Sequence, residues 1–196
     1  NIAPIQVVII PIYKSDADYK KIKKYIEPII DGCIDKNISY YFDTRDKVSP
    51  GFKFNEWEMK GVPLRIEIGM RDIANKDIVM ARRDTSKKSS YKYNDIIPEI
   101  VANLKSIQST LFQEASNFRD ENSYTTNNYD EFKKIATNQG GFIRCYWDGT
   151  SKTEALIKKE TNATIRCILN DVDKDDKKCI YSQLPAKFEV IFSKAY

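Results

Sequence analysis

The sequence predicts an α/β fold in two parts: a larger domain with a mixed, largely parallel sheet flanked by helices, and a smaller α+β domain after it. Three observations indicate this. The near-continuous apolar run from Ile5 to Ile12 is typical of a central strand covered on both faces. An amphipathic helix pattern and a second strand follow it directly. Strand and helix patterns then alternate again in the last third of the chain.

The first helix is predicted from a stripe of apolar residues. Ser15 or Asp16 can cap its N-terminus, and Gly32 lies near its end. A second strand is predicted from Ile38 to Phe42, so the opening β-α-β unit requires a right-handed crossover. The stripe itself recurs at helical spacing through Tyr19, Ile22, Ile26, Ile29 and Cys33.

The stretch from Ser49 to Asp72 carries the densest pattern. A Pro50-Gly51 turn is predicted to open it, followed by a short charged segment with helix character. That segment is expected to end at Gly61, because glycine commonly follows the last residue of a helix. Val62–Ile68 is predicted as a strand whose one face is apolar and whose other face carries a cation and a carboxylate. A turn is predicted at Gly69-Met70.

A strand, a loop and a long helix are predicted to complete the larger domain. The strand is Lys76–Arg82, and the polar loop after it, residues 85–90, is doubly basic. The helix is predicted from Tyr93 to about Phe118, with Pro98 in its first turn, where proline is tolerated. Its apolar face is formed by Ile97, Ile100, Val101, Leu104, Ile107 and Leu111.

The polar residues 119–128 are predicted as a linker, which gives domains at 1–118 and 129–196. A domain as small as the second has a marginal core. Its predicted elements are, in order, a helix at Tyr129–Thr137, a strand at Phe142–Trp147, a helix at Thr153–Glu160, a strand at Thr164–Leu169, a loop at 171–178 and a strand at Lys187–Phe192.

The composition excludes several classes of function. The 196 residues include no histidine, so a Ser-His or Cys-His nucleophile is excluded. The net charge of +4 lies entirely in the first 105 residues, which hold 19 Lys and Arg against 15 Asp and Glu. No run approaches the roughly 18 apolar residues of a membrane span, and no membrane association is expected. The chain begins at Asn1 and enters a strand almost at once, from which we expect a fragment that lacks an N-terminal part, with a processed N-terminus as the alternative.

The stretch from Ser49 to Asp72 combines the groups that read an unpaired nucleotide. An aromatic ring stacks on a base, a guanidinium donates hydrogen bonds in a fork, and a carboxylate accepts from an N–H edge. Phe54, Arg65 and Glu58 supply these three groups. The alternative interpretation is that the aromatic and apolar residues of this stretch belong to the core and that its charged residues form a solvated face. The residue types alone favour this alternative.

Two motifs resemble those of one family. The run PGFKFNEWEMKGVPLRIEIGMRD, residues 50–72, and the Arg82-Arg83-Asp84-Thr85 motif resemble the anticodon-binding domain of prolyl-tRNA synthetases of the eukaryotic and archaeal type, which are class II aminoacyl-tRNA synthetases. The resemblance in residues 50–72 contains no gap, and the similarity extends from Ile5 to about Leu111. Met70 stands where the family usually has proline, which we expect to loosen one turn and to leave Arg71 and Asp72 in place.

The resemblance implies anticodon-binding roles for several residues. Phe54 would stack on the anticodon bases, and Glu58 would accept from the N1–H and N2–H₂ groups of the middle guanine. Arg65 would donate to a base or hold the loop. Arg71 and Asp72 would frame the adjacent nucleotide. Lys87 would donate to the O6 and N7 atoms of a guanine. Phosphate contacts are expected from Arg82, Arg83 and Lys88. For Arg82 and Arg83 the alternative is that they bridge residues within the sheet.

The end of the chain resembles the C-terminal domain of the same synthetases. The matching residues are Ile157–Ile168 (IKKETNATIRCI), Lys178-Cys179, Pro185-Ala186-Lys187 and Ala195-Tyr196. The resemblance implies that the carboxylate of Tyr196 faces the catalytic domain, and the C-terminus is therefore expected to be native.

In many relatives this domain holds a structural zinc through four cysteines. Here Cys167 and Cys179 fall at plausible ligand positions, whereas Asp148 and Thr153 stand where the first cysteine pair is expected and Tyr181-Ser182 where the fourth is expected. Without a CxxC motif or a histidine, a tetrahedral site is poorly supplied. No metal site is therefore predicted, and the cysteines are expected to be reduced thiols.

The function implied by the resemblance is anticodon recognition within an enzyme that joins proline to tRNA using ATP. No phosphate-binding glycine loop or class II signature motif occurs in the sequence. We therefore expect ATP and Mg²⁺ to bind in a catalytic domain outside this chain, and the chain alone to be inactive and monomeric. The full enzyme is expected to be a cytoplasmic homodimer. A non-catalytic accessory module with the same fold is the alternative, and a metal-dependent enzyme is disfavoured.

Overall fold

The computed structural model describes residues 3–169 and 176–194, and the chain divides into two compact units. The first unit runs to Gln113 and the second begins at Glu114, so the division falls inside a long helix. Each unit has its own sheet and its own buried apolar cluster. The predicted combination of an α/β domain with a smaller α+β domain is confirmed.

The sheet of the first unit is mixed. Its strand order is β2-β1-β3-β4-β5, in which β1 pairs in parallel with β2 and β3, and the β3–β4 and β4–β5 pairs are antiparallel. The elements of this unit are β1 Val7–Ile12, α1 Asp16–Asp35, β2 Tyr40–Phe42, α2 Pro50–Met59, β3 Leu64–Gly69, α3 Met70–Asn75, β4 Asp77–Arg82, β5 Lys88–Lys92 and α4 Ile96–Glu121.

The two faces of this sheet differ in what covers them. One face packs against α1 and α4 and forms the main core, in which alternate residues of β1 and β3 are fully buried. The other face is covered by α2, whose Trp57 packs against Val8 and Ile10 of β1 and against Val62. Helix α2 and the polar side chains beneath it therefore lie on one side of the sheet, and the main core lies on the other.

Helix α2 begins earlier than the sequence predicted. Pro50 and Gly51 form its first turn rather than a separate turn, because proline fits the first helical position and the Ser49 hydroxyl accepts from the Phe52 amide at 3.3 Å. The predicted stop at Gly61 is confirmed: Gly61 has a φ of 78°, and its amide and that of Val62 donate to the carbonyls of Glu58 and Trp57. This pair of bonds is the Schellman arrangement.

Other boundaries in the first unit also differ from prediction. Strand β3 starts at Leu64 rather than Val62, because the Val62 amide is taken by the helix end and Pro63 has no amide hydrogen. The predicted turn at Gly69-Met70 is the start of α3, capped by Asp72, which accepts from the Gly69 amide at 2.7 Å. The basic loop of residues 85–90 is only partly a loop, since β5 begins at Lys88 and pairs with β4.

The second unit carries a second mixed sheet of order β6-β7-β9-β8. Its Phe132 and Phe192 rings meet edge to face in the middle of the buried cluster. Its elements are β6 Ser123–Thr125, α5 Tyr129–Lys134 continued by a π-helical turn Ile135–Gln139, β7 Phe142–Trp147, α6 Ser151–Thr161, β8 Ala163–Leu169 and β9 Phe188–Lys194.

The predicted linker at 119–128 is not simply a loop. Helix α4 continues to Glu121, and Ser123–Thr125 forms β6, which pairs in parallel with β7. The pairing is supported by Tyr124, which packs against the second buried cluster. Gly141 permits the close approach of the two strands, because a Cβ there would lie 2.5 Å from the Asn122 carbonyl oxygen.

Two predicted features lie outside the described residues. These are most of the loop at 171–178 and the terminal residue Tyr196. Within the described ranges, the helices lack the combined length and apolar character that a bilayer crossing requires.

Candidate nucleic-acid interface

Strand β3 places a cation and a carboxylate on the sheet face that α2 covers. Arg65 lies beside Val8 of β1 and Ala81 of β4, and Glu67 lies beside Ile10 and Val79. The sequence correctly predicts that these two residues share one face. That face is not solvated, however, because Arg65 is only 7% exposed and Glu67 only 8%.

Two carboxylates hold the Arg65 guanidinium. Its Nε donates to Glu67 Oε1 at 3.0 Å, and its Nη1 donates to Glu58 Oε1 at 2.5 Å. Glu58 lies on α2 with its side chain 51% exposed, so the ion pair joins the buried sheet face to the surface of the helix. A nearly buried guanidinium paired on two sides is fixed in orientation.

The ring of Phe54 completes this group. Phe54 and Glu58 lie one helical turn apart on the same face of α2. The guanidinium carbon of Arg65 lies 4.3 Å from the centre of the Phe54 ring, and the Lys88 ammonium lies 5.0 Å from it. Both distances are within the range of cation–π attraction.

Lys88 reaches the group from the edge of the sheet. On the shared face, Arg65 lies opposite Ala81, and Ala81 lies opposite Lys88. The Lys88 ammonium lies 2.8 and 2.9 Å from the two oxygens of Glu67. We refer to Phe54, Glu58, Arg65, Glu67 and Lys88 as the Arg65 cluster.

The Arg65 cluster presents complementary groups to a flat polar ligand. Glu58 Oε2 and Arg65 Nη2 make no hydrogen bond within the part of the chain that the structure describes, so one acceptor and one donor remain available beside an aromatic ring. Lys88 adds a second cation, half exposed. An acceptor, a donor and a ring are the three groups that base-edge recognition and stacking require.

Other sequence-predicted residues lie apart from this cluster. Arg71 and Asp72 belong to α3, beyond the opposite end of β3, and the four steps along the strand from Arg65 to Gly69 span about 13 Å. Asp72 caps its own helix. For Lys87, no side-chain hydrogen bond or ion pair occurs among the described residues, and its carbonyl accepts from the Arg82 amide.

The two arginines of the Arg82-Arg83 motif make contacts inside the first unit. Arg82 forms a two-pronged pair with Asp84 at 3.1 and 2.7 Å and donates to Ser106 at 3.0 Å. The hydrogen bonds from Arg82 hold the pKa of Asp84 below its usual range. Arg83 Nε donates to the Glu58 carbonyl at 2.9 Å and so secures the end of α2.

Sequence reasoning missed two parts of this region. The first part is the place of Glu67 in the site, although its spacing of two from Arg65 on a strand puts both side chains on one face. The second part is the buried Asp43, which binds the inner side of α2 through Arg45, Lys53 and Trp57. No motif or spacing in the sequence indicates that contact.

Asp148 and Thr153, which stand where the family's first zinc-binding cysteine pair is expected, belong to a hydrogen-bonded group. Asp148, 4% exposed, accepts from the hydroxyls of Thr150, Thr153 and Ser182 at 2.9, 2.8 and 2.6 Å. Burial alone raises the pKa of Asp148. The hydrogen bonds that it accepts, of which the one from Ser182 has the largest effect, lower the pKa to about 2. These hydroxyls join the start of α6 to the segment before β9.

The side chains near these positions fit zinc poorly. Cys179 is buried and Cys167 is exposed, and burial raises the pKa of the nearby Cys145 thiol to about 12, which opposes the thiolate that a metal needs. Across residues 3–169 and 176–194, no three His, Cys, Asp or Glu side chains are grouped as a metal site.

Two family models match separate parts of the chain. The family model described as the anticodon binding domain matches residues 6–103. The family model described as the C-terminal domain of prolyl-tRNA synthetase matches residues 129–196. The first of these matches includes every member of the Arg65 cluster.

Individual relatives match across the entire chain. Proline--tRNA ligases of Amoebophilus asiaticus and Flavobacterium psychrophilum are each 44% identical over 196 residues, and that of Cytophaga hutchinsonii is 43% identical over 195 residues. Each match covers 100% of this chain and 40% of the relative. The chain therefore spans about two fifths of the length of these enzymes.

Proposed function

Since the chain belongs to the anticodon-binding domain family and carries the C-terminal domain of prolyl-tRNA synthetases, we propose that it recognises the anticodon stem-loop of proline tRNA within such an enzyme. The observation that carries this proposal is the Arg65 cluster, in which a ring, a guanidinium and a carboxylate meet on one side of the sheet.

The proposed readout uses the free atoms of the cluster. Glu58 accepts from the N1–H and N2–H₂ donors that guanine offers, through the oxygen not taken by Arg65 and a remaining lone pair of the other. Arg65 donates from Nη2, and Phe54 stacks on a base. Proline anticodons carry guanine at their second and third positions, so a carboxylate beside cationic donors suits them.

The contacts favour Lys88 over Lys87 as the cation next to this base. Lys88 lies in the Arg65 cluster and is held by Glu67, whereas Lys87 lies before β5 without a side-chain partner among the described residues. We assign base contact to Lys88 and a peripheral phosphate contact to Lys87. Glu67 accepts hydrogen bonds from both Arg65 and Lys88 and so fixes the positions of the two cations.

The remaining predicted residues take supporting roles in this proposal. Arg82, paired with Asp84 and Ser106, stabilises the sheet edge, and Arg83 secures the end of α2. Arg71, which is exposed on α3, supplies a phosphate contact further along the loop, and Asp72 keeps α3 capped.

The reaction of the whole enzyme requires groups that this chain does not supply. We propose that ATP, Mg²⁺ and proline bind in a catalytic domain outside this chain, and that the chain alone activates no amino acid. A detectable ATP–pyrophosphate exchange by the purified chain would contradict this. The proposed enzyme is a cytoplasmic homodimer, with no structural zinc in its C-terminal domain.

The proposal is tested by comparing two tRNAs. The purified chain is titrated into labelled proline tRNA and into a lysine tRNA, whose anticodon contains no guanine, at two salt concentrations. We expect proline tRNA to bind at least about tenfold more tightly, since each base-edge contact contributes roughly 1–3 kcal/mol of discrimination. Equal affinities that fall steeply with salt would indicate phosphate contact only and favour a non-catalytic accessory module.

A further inference from the structure

Helix α2 carries two pairs of side chains on neighbouring faces. Phe54 and Glu58 belong to the Arg65 cluster, and Lys53 and Trp57 point into the unit, each pair spaced by four residues. Successive residues of a helix turn by about 100°, so the two pairs form adjacent stripes on one rigid helix. Whatever fixes the inner pair therefore also fixes the outer pair.

The inner pair is fixed by one carboxylate. Asp43 is fully buried directly after β2 and accepts from the Trp57 indole Nε1 at 2.8 Å. The Lys53 ammonium lies 3.6 Å from Asp43 Oδ1 and donates to the Asp43 carbonyl at 3.1 Å. Lys53 itself is only 2% exposed, so its charge depends on this carboxylate for compensation.

Asp43 is also bonded to β1 of the sheet and, through Arg45, to a third residue of α2, Glu56. Its amide donates to the carbonyl of the fully buried Ile9 at 2.9 Å. The Arg45 guanidinium donates to both Asp43 oxygens, at 2.9 and 2.7 Å, and continues to Glu56 Oε2 on α2 at 2.5 Å. Burial alone would raise the pKa of Asp43, but these donors hold it well below its usual range.

We propose that Asp43 is a positioning residue for anticodon readout: it sets the rotation and axial position of α2, and thereby the place of Phe54 and Glu58 in the Arg65 cluster. Asp43 touches no base itself. This inference rests on the proposed function, because it concerns how the same site discriminates guanine.

The test measures a ratio of affinities rather than one affinity. The chain is titrated with a proline anticodon stem-loop and with the same stem-loop in which both guanines are replaced. A variant that is merely less folded loses affinity for both ligands by one common factor, so the ratio stays constant. A variant whose α2 is displaced loses the guanine contacts but keeps the phosphate contacts, so the ratio falls.

Asp43→Asn is the first variant, since it keeps the shape of the side chain and removes its charge. The matched control is Asp31→Asn, which changes the net charge equally at an exposed position of α1. We expect Asp43→Asn to lower the discrimination ratio about fivefold or more, with the affinity for the replaced stem-loop unchanged within about twofold. Asp31→Asn is expected to leave the ratio unchanged.

Trp57→Phe is the second variant and keeps the test decisive if Asp43→Asn does not fold. It removes the indole donor to Asp43 and retains a buried ring. We expect a ratio lowered about two- to threefold. An unchanged ratio in each folded variant, with a discriminating wild type, would overturn this inference alone. A wild type without discrimination would overturn the proposed function and this inference with it.

Discussion

Replacing Phe54 by alanine is expected to weaken binding of the proline anticodon stem-loop substantially. In the free protein the Phe54 ring lies 4.3 Å from the Arg65 guanidinium carbon and 5.0 Å from the Lys88 ammonium. A base that stacks on this ring gains an aromatic contact close to both cations. The substitution removes that contact and leaves the charges in place.

The magnitude follows from the stacking energy. Base–aromatic stacking contributes about 1–3 kcal/mol per base by alanine substitution. At roughly 1.4 kcal/mol per tenfold change, the dissociation constant should rise by about 5- to 150-fold. The slope of affinity against salt should not change, because no phosphate contact is lost.

The matched control is Phe52→Ala. Phe52 lies on the same helix, but its side chain is 58% exposed and has no ring or cation contact among the described residues. We expect its affinity to stay within about twofold of the wild type. Fluorescence anisotropy with a labelled stem-loop measures both variants, and circular dichroism verifies that both are folded.

Phe54 also packs partly against the apolar cluster of Trp57 and Val62, so Phe54→Ala is expected to lower thermal stability as well. Phe54→Leu separates the two effects, since it keeps apolar volume but offers no ring. A stem-loop affinity that falls equally in the Phe52 and Phe54 variants, or not at all in a folded Phe54→Leu, would refute the stacking argument.

Three further predictions test other contacts. Lys88→Met is expected to lower guanine discrimination measured by anisotropy, whereas Lys87→Met should lower affinity for both stem-loops equally; the reverse result would reassign the cation. Ala81→Leu places a branched side chain beside Lys88, in the row that joins it to Arg65, and is expected to disturb the Lys88–Glu67 pair and reduce discrimination several-fold, while a ratio equal to that of the wild type would show that this pair is dispensable. The pKa of Asp148 is lowered from 3.8 to about 2, so its contribution to stability is present above about pH 4 and is lost as the pH falls toward 2. Between about pH 4 and pH 2, the free energy of unfolding from urea titrations should therefore fall about 2 kcal/mol less in Asp148→Asn than in the wild type. An identical pH dependence in the two proteins would show that these hydrogen bonds do not stabilise ionised Asp148.

The sequence predicts most of this region because local rules decide it. The stop at Gly61 follows from helix-end geometry, and the shared face of Arg65 and Glu67 follows from the period of two in a strand. The association of Phe54 with Glu58 follows from their spacing of four on one helix. These relationships depend on neighbours in the sequence, so they can be read without the fold.

What the sequence does not predict depends on pairing between distant segments. Asp43 meets Trp57 only because the fold brings β2 against α2, where the Tyr41 and Trp57 rings also lie 4.8 Å apart, and a lone aspartate after a strand carries no sign of that contact. Strand β6 is only three residues long and polar at both ends, so its pattern indicates a linker until its pairing with β7 is known. The choice between Lys87 and Lys88 likewise depends on the register of β5 against β4.

Base readout by the Arg65 cluster is tested most directly by measuring the binding of this chain to the proline anticodon stem-loop, with and without replacement of the two guanines, in the wild type and in Glu58→Ala. We expect guanine replacement to weaken wild-type binding at least about fivefold, and we expect Glu58→Ala, with its base-edge acceptor removed, to lose most of this preference and to keep only the part that Lys88 contributes. Equal wild-type affinities for both stem-loops, falling together as salt rises, would contradict base readout by the Arg65 cluster.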